Sequence, residues 1–208
     1  MMRVILSPAV LPPDALAELK DWLGITTTQN DAALSGLLQV AVDVCADFTG
    51  LTPLLCACEE MLPLPTGQNL PPPHEWQHRH YPADWRLPQA YPGYHALTTR
   101  PVQAVTGVEG VDSSGNRTPL AAGTYHVRID AEGTARIRVD EPADFHRCAV
   151  QFTAGLAASW DALPNPIRQG IIYLAAYQQQ TSTNLGAVPA PPASVTALWL
   201  PWRRVRLA

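Results

Sequence analysis

Lysine is almost missing from this chain: Lys20 is the only one, and arginine carries the rest of the positive charge. With a net charge of −4 and a pI near 5.8, the chain has no sequence-wide basic surface for gripping phosphates. That excludes a protein held on nucleic acid by charge alone and leaves only a local patch. Cysteine is scarce too, with four residues and no C-x-x-C pair, so neither a zinc ribbon nor a dithiol redox motif is spelled. Cys45, Cys56, Cys58 and Cys148 read as reduced thiols of a cytoplasmic product, used as small core residues. No stretch approaches the roughly 18 apolar residues of a membrane span, and Val4 to Leu6, ahead of Pro8, is too short for a signal peptide. No membrane partner is expected.

Proline is what the chain has in excess. There are 21 in 208 residues, concentrated between positions 63 and 101, while 47% hydrophobic content suffices for a core of its own. One domain over residues 1–208 is expected, with a Pro- and aromatic-rich insert at 65–100 carrying Trp76, Tyr81, Trp85, Tyr91 and Tyr94 at irregular spacing. Inside the insert, His74-Glu75-Trp76-Gln77-His78 spells H-E-x-x-H, the zinc-peptidase signature. The motif works when a helix puts both imidazoles on one face and the glutamate activates water. Here three prolines precede His74 and Pro82 ends any helix within about two turns. In the extended form of the motif, Tyr81 stands where glycine is needed and Asp84 where the third ligand would be. A zinc metallopeptidase, or an adventitious metal site at His74, His78 and His80, is therefore the lesser reading beside a surface loop. Neither metal nor cofactor is expected.

Helical spacing marks three segments. PPDALAELKDWLG carries Leu16, Leu19 and Leu23 on one stripe and ends at Gly24. NDAALSGLLQVAVDVCADFTG places Leu34, Leu37, Leu38, Ala41, Cys45 and Phe48 on one face, with Gln39, Asp43 and Asp47 opposite, between Asn30 or Asp31 and Gly50. Pro164 and Pro166 open IRQGIIYLAAYQQQT, with Ile167, Ile171, Leu174 and Ala175 inward; its Gly170 costs about 1 kcal/mol relative to Ala and marks close packing. Residues 54–64 read as a short or edge strand, because Pro53 and Pro63 bracket it. From 102 to 153 the pattern alternates. Tyr125, Val127 and Ile129 oppose His126, Arg128 and Asp130, and after a turn at Ala131-Glu132-Gly133 the residues Ala135, Ile137 and Val139 oppose Arg136, Arg138 and Asp140. VQAVTGVEGV and CAVQFTAG extend this sheet, with a turn at Asp112 to Asn116. The fold class is α+β: three main helices, a small antiparallel sheet, the long insert and an extended C-terminal tail.

The tail, with its connector at 184–208, crowds Leu198, Trp199, Leu200, Trp202, Val205 and Leu207 among Arg203, Arg204 and Arg206. Termini are normally polar and frayed, and Trp and Arg are the residues most enriched at interface centres. The two readings are a segment folded back on its own core and a docking segment for a partner.

In its order of motifs the chain resembles the head-to-tail connector (adaptor) proteins of long-tailed phages and phage-derived gene transfer agents. The likeness rests on the helix pair from Leu16 to Gly50, on RPVQAVTGV (Arg100 to Val108), on the Tyr-bearing strand at Thr124 to Val127, and on VQFTAG (Val150 to Gly155). It continues through LPNPIRQGIIYLAAY (Leu163 to Tyr177) and LWLPWRR. Each motif is degenerate, and their order is what is specific. The insert is longer than the usual connection, and QQQT replaces a charged helix ending. The resemblance implies a structural protein without catalysis, in the neck of a virion or phage-like particle assembled in the host cytoplasm. It implies a ring, typically a dodecamer, under the portal protein, extending the DNA channel and seating the stopper or next neck protein. DNA would pass without sequence-specific binding. Leu198, Trp199, Leu200, Trp202, Arg203, Arg204 and Arg206 are the portal-binding candidates, and Asp43 and Asp47 the lumen or inter-subunit candidates. A stopper or tail-completion protein of the same particle is the alternative.

Overall fold

The computed structural model describes residues 3–64, 94–140, 145–181 and 190–203. Helices α1 (Pro13–Leu23) and α2 (Asp31–Thr49) fall where the apolar periodicity predicts them. Both stop at a glycine in the left-handed conformation, Gly24 at φ 68° and Gly50 at φ 70°, whose amides bond back to the last turn. The lone lysine has a structural use: Lys20 Nζ lies 2.8 Å from Asp31 Oδ1, joining the last turn of α1 to the first of α2. Helix α3 (Asn165–Thr181) buries Ile167, Ile171, Leu174 and Ala175 as expected, and α4 (Ala193–Trp199) follows, continued by a 3-10 turn over Leu200–Trp202. Their inward faces, with Leu54, Ala157, Trp160 and Leu163, make one apolar core.

Among the described residues eight strands make the second body of the fold, and every strand pairs antiparallel with its neighbour. They are β1 (Arg3–Ser7), β2 (Cys56–Pro63), β3 (His95–Ala96), β4 (Val102–Val111), β5 (Arg117–Pro119), β6 (Tyr125–Ile129), β7 (Ala135–Val139) and β8 (Arg147–Ala154). One sheet runs β1-β2-β8-β4-β5 and the other β3-β7-β6, and the apolar residues between them form a second core. The hairpin of β6 and β7 pairs Tyr125 with Val139 and Ile129 with Ala135, as its alternation predicts. Burial pushes the thiol of Cys45 up to about 12 and that of Cys148 to about 11, so both stay protonated as small core residues.

Four expectations need correction. The sheet is not one small unit but two, because β1, β2 and β3 join strands far along the chain. Strand β2 is interior, not an edge: it pairs with β1 on one side and β8 on the other. Pro63 is tolerated because Leu64 N–H donates to His146 at 2.9 Å, so by strand alternation the nitrogen of Pro63 faces away from β8, beyond the β1 register, whose first partner pair is Arg3 with Glu60. The tail is not extended, since Ala193–Trp199 is helical and makes a fourth helix. Helix α2 is also long and apolar enough on its own to cross a membrane. In this fold its apolar face packs into the helical core, and Gln39, Asp43 and Asp47 stand on the outer one.

Candidate functional site

The tail divides in two. Val195 and Trp199 are fully buried in the chain's own core. The Trp199 ring lies 5.9 Å from that of Phe48, and its Nε1 donates to the Ile167 carbonyl at 3.4 Å. A Cβ on Gly170 would stand 2.7 Å from Trp199 Cε2, which explains a glycine in the middle of α3. Trp199 is thus corrected from a partner-facing residue to the anchor of a helix too short to hold on its own. Leu198 and Trp202 are half-buried against the same core. What faces outward is Leu200, 60% exposed, and Arg203, whose guanidinium sits 5.1 Å from the Phe48 ring centre. Arg204 and Arg206 lie outside the described residues, as do His74, Glu75, His78 and His80.

On α2 the two acids stand free of the core. Asp43 and Asp47 are exposed one helical turn apart, Gln39 Nε2 donates to Asp43 Oδ1 at 3.2 Å, and α2 carries no basic residue. The result is an acidic stripe along one helix.

Two adjacent carboxylates in β2, which no motif or spacing singles out, find partners only in the fold. Glu60 is buried and accepts from Thr98 N–H and Oγ1 at 2.8 Å and from Thr99 N–H and Oγ1 at 2.8 and 2.5 Å, which pins the returning end of the insert to the sheet. Glu59 points to the other face. There Arg117 of β5 reaches across β4 and β8 to grip it with both terminal nitrogens, at 2.8 and 2.9 Å, and passes 3.4 Å from Glu109. Ala149, buried on that face, is small enough to leave the path open. The Arg117 hydrogen bonds hold the Glu59 carboxyl below its ordinary range. The available signal was the Glu59-Glu60 pair in an otherwise apolar run.

Among the described residues no group of three or more His, Cys, Asp or Glu could hold a metal ion. No family model and no curated protein matches the sequence. Solved structures do. A chain in the neck of an empty GTA particle computed with C6 symmetry aligns with TM-score 0.69 and 27% identity, over 100% of this chain and 98% of that one. A chain of the virion of a native gene transfer agent (GTA) particle aligns with TM-score 0.67 and 26% identity over the same shares. A third, from the neck of a native GTA particle computed with C12 symmetry, gives TM-score 0.67 and 28% identity, again over 100% and 98%. This chain has the fold of a gene-transfer-agent neck protein.

For a neck fold, the features above read as joints of a scaffold. The Glu59–Arg117 strap and the Glu60–threonine anchor stiffen the sheet, and the buried Trp199 fixes where the outward tail residues start. The likeness spans 100% of this chain and 98% of the neck chains, supporting a structural component of a symmetric particle neck.

Proposed function

We propose that this protein is the head-to-tail connector (adaptor) subunit of a phage-like particle, forming a ring, of twelve subunits by the family pattern, beneath the portal protein. The ring extends the DNA channel and seats the stopper or next neck protein, with no catalytic step and no cofactor. The observation that carries this reading is the full-length likeness to neck chains of symmetric GTA particles. Leu200, Trp202 and Arg203, continued by Arg204 and Arg206, are the portal-facing segment in this reading, with Leu198 and Trp199 as its anchor. Each tail contributes a small contact, and a ring multiplies small contacts into a durable joint. The acidic stripe of Asp43 and Asp47 suits a channel wall or a subunit boundary, because a lumen lined with bases would retain phosphates.

Deleting the gene in the producing strain tests the role. The expected result is DNA-filled heads with portals but no tails. Heads that gain tails normally would overturn the reading. Cross-linking in intact particles then separates the adaptor from a stopper or tail-completion protein: the adaptor cross-links to the portal protein, the alternative to the tail tube.

A further inference from the structure

Cys56 and Cys58 are the first two inward-facing residues of β2, and their sulfurs lie 3.4 Å apart. Both are buried. Together with Val42, Asp43, Ala46 and Leu54 they are among the residues lining a cavity of about 80 Å³. Val42 and Leu54 belong to the helical core and the two cysteines to the sheet core, so the cavity lies on the seam between the two bodies. It has roughly the volume that two or three waters occupy in the liquid.

The sulfur spacing selects among the things a dithiol can do. Side chains two residues apart on a strand leave the backbone about 6.6 Å apart, so these two sulfurs lean toward each other. Closure to a disulfide requires Cβ atoms about 3.8 Å apart, which an extended strand does not offer. Both residues are in paired strand, Cys56 opposite Ala154 and Cys58 opposite Phe152. An atom that bonds both sulfurs at about 2.3 Å, with a tetrahedral or pyramidal angle between the bonds, requires them about 3.4 to 3.8 Å apart, whereas a linear two-coordinate ion requires about 4.6 Å. The spacing in β2 fits the angular bridge. A structural zinc needs four ligands, and among the described residues no His, Cys, Asp or Glu completes even a set of three with these thiols. A trivalent metalloid takes two sulfurs and brings its own third group.

We propose that Cys56 and Cys58 form a dithiol site for a trivalent thiophilic centre of the arsenic(III) class, held through both sulfurs with its third substituent in the cavity. With arsenous acid, two As–O bonds break and two As–S bonds form. Each thiol proton leaves with a hydroxide as water, and the arsenic stays trivalent. The site is local to β2 and the seam, and is independent of the neck reading. Its occupant touches both cores and braces the place where they meet.

The test titrates the full chain with arsenous acid in the absence of other thiols and counts bound arsenic by native intact mass. The expected result is one As–OH per chain in the parent, in Cys45→Ala and in Cys148→Ala. Binding is expected to be about a hundredfold weaker in Cys56→Ala and in Cys58→Ala, because the effective concentration of the second sulfur is lost. Melting temperature gives a second measurement. The unfolded chain also carries Cys-Ala-Cys and takes arsenic, so binding raises the melting temperature only if the folded spacing holds it more tightly. A rise in the parent that is absent from Cys56→Ala is expected. A fall in the parent, binding to the urea-unfolded chain alone, or undiminished binding in both single variants each overturns the site. So does zinc retained at one per chain through dialysis, which would mean a fuller ligand set.

Discussion

The indole of Trp199 fills the space where residue 170 would carry its side chain, with Cε2 2.7 Å from the position of a Cβ. In an open helix, alanine at position 170 would gain about 1 kcal/mol over glycine. Here overpacking costs about 1 to 3 kcal/mol, so Gly170→Ala is expected to destabilise. In a Trp199→Ala background the same change is expected to stabilise. Urea denaturation of the four proteins checks it, and the reversal of sign is the result to look for.

The two sides of the tail are expected to separate in experiment. Trp199→Ala removes a fully buried ring and should cost about 3 to 5 kcal/mol, seen as a lower melting temperature. Leu200→Asp and Arg203→Glu touch outward residues and should stay within about 0.5 kcal/mol of the parent. If the portal-facing proposal holds, these two alone reduce attachment to heads, measured by co-sedimentation.

Glu60 carries the end of the insert. Glu60→Ala leaves the donors of Thr98 and Thr99 without their acceptor inside the fold, at a cost of about 3 kcal/mol or more. Amide exchange at Thr98 and Thr99 should rise far more than at β6 or β7. Equal protection in the variant would mean that another group holds this segment.

Acid should weaken the sheet through Glu59. Its folded value is depressed below the ordinary 4.5 by the Arg117 hydrogen bonds, so the folded state binds fewer protons than the unfolded one across that window. The contribution is fully present above 4.5 and is lost as pH falls through the folded value. Arg117→Ala is expected to lower stability at neutral pH and to flatten the decline below pH 4.5. Denaturation midpoints measured from pH 7 to pH 3 report both.

Charge reversal on α2 probes the channel. Asp43→Arg with Asp47→Arg changes two exposed positions and should leave the fold intact. If the stripe lines the lumen, repeated basic side chains slow DNA release from particles, and the slowing eases as salt is raised. Normal release at low salt would move the stripe to another surface.

Much of the secondary structure was legible from pattern. The α1 and α2 stripes, their glycine ends, the alternating hairpin of β6 and β7, and the misfit of Gly170 in α3 are local, and local sterics dictate them. Strand β1 and the interior place of β2 were not legible: a five-residue apolar run reads the same at an edge, in a core or at a terminus, and β2 becomes interior only through pairing with β8, far along the chain. The partners of Glu59 and Glu60 were hidden for the same reason, since Arg117 and the two threonines meet them only across strands.

By itself the sequence determined which side chains avoid water, where helices end, and that the carboxy end carries surplus tryptophan and arginine. Only the tertiary structure decided what covers each apolar face. A tryptophan buried in its own core and one buried against a neighbour leave the same mark on a sequence, because removal from water is blind to what replaces it. Trp199 went inward, onto Gly170, Phe48 and the carbonyl of Ile167; Trp22, on a helix with the same kind of stripe, was left with one face in solvent.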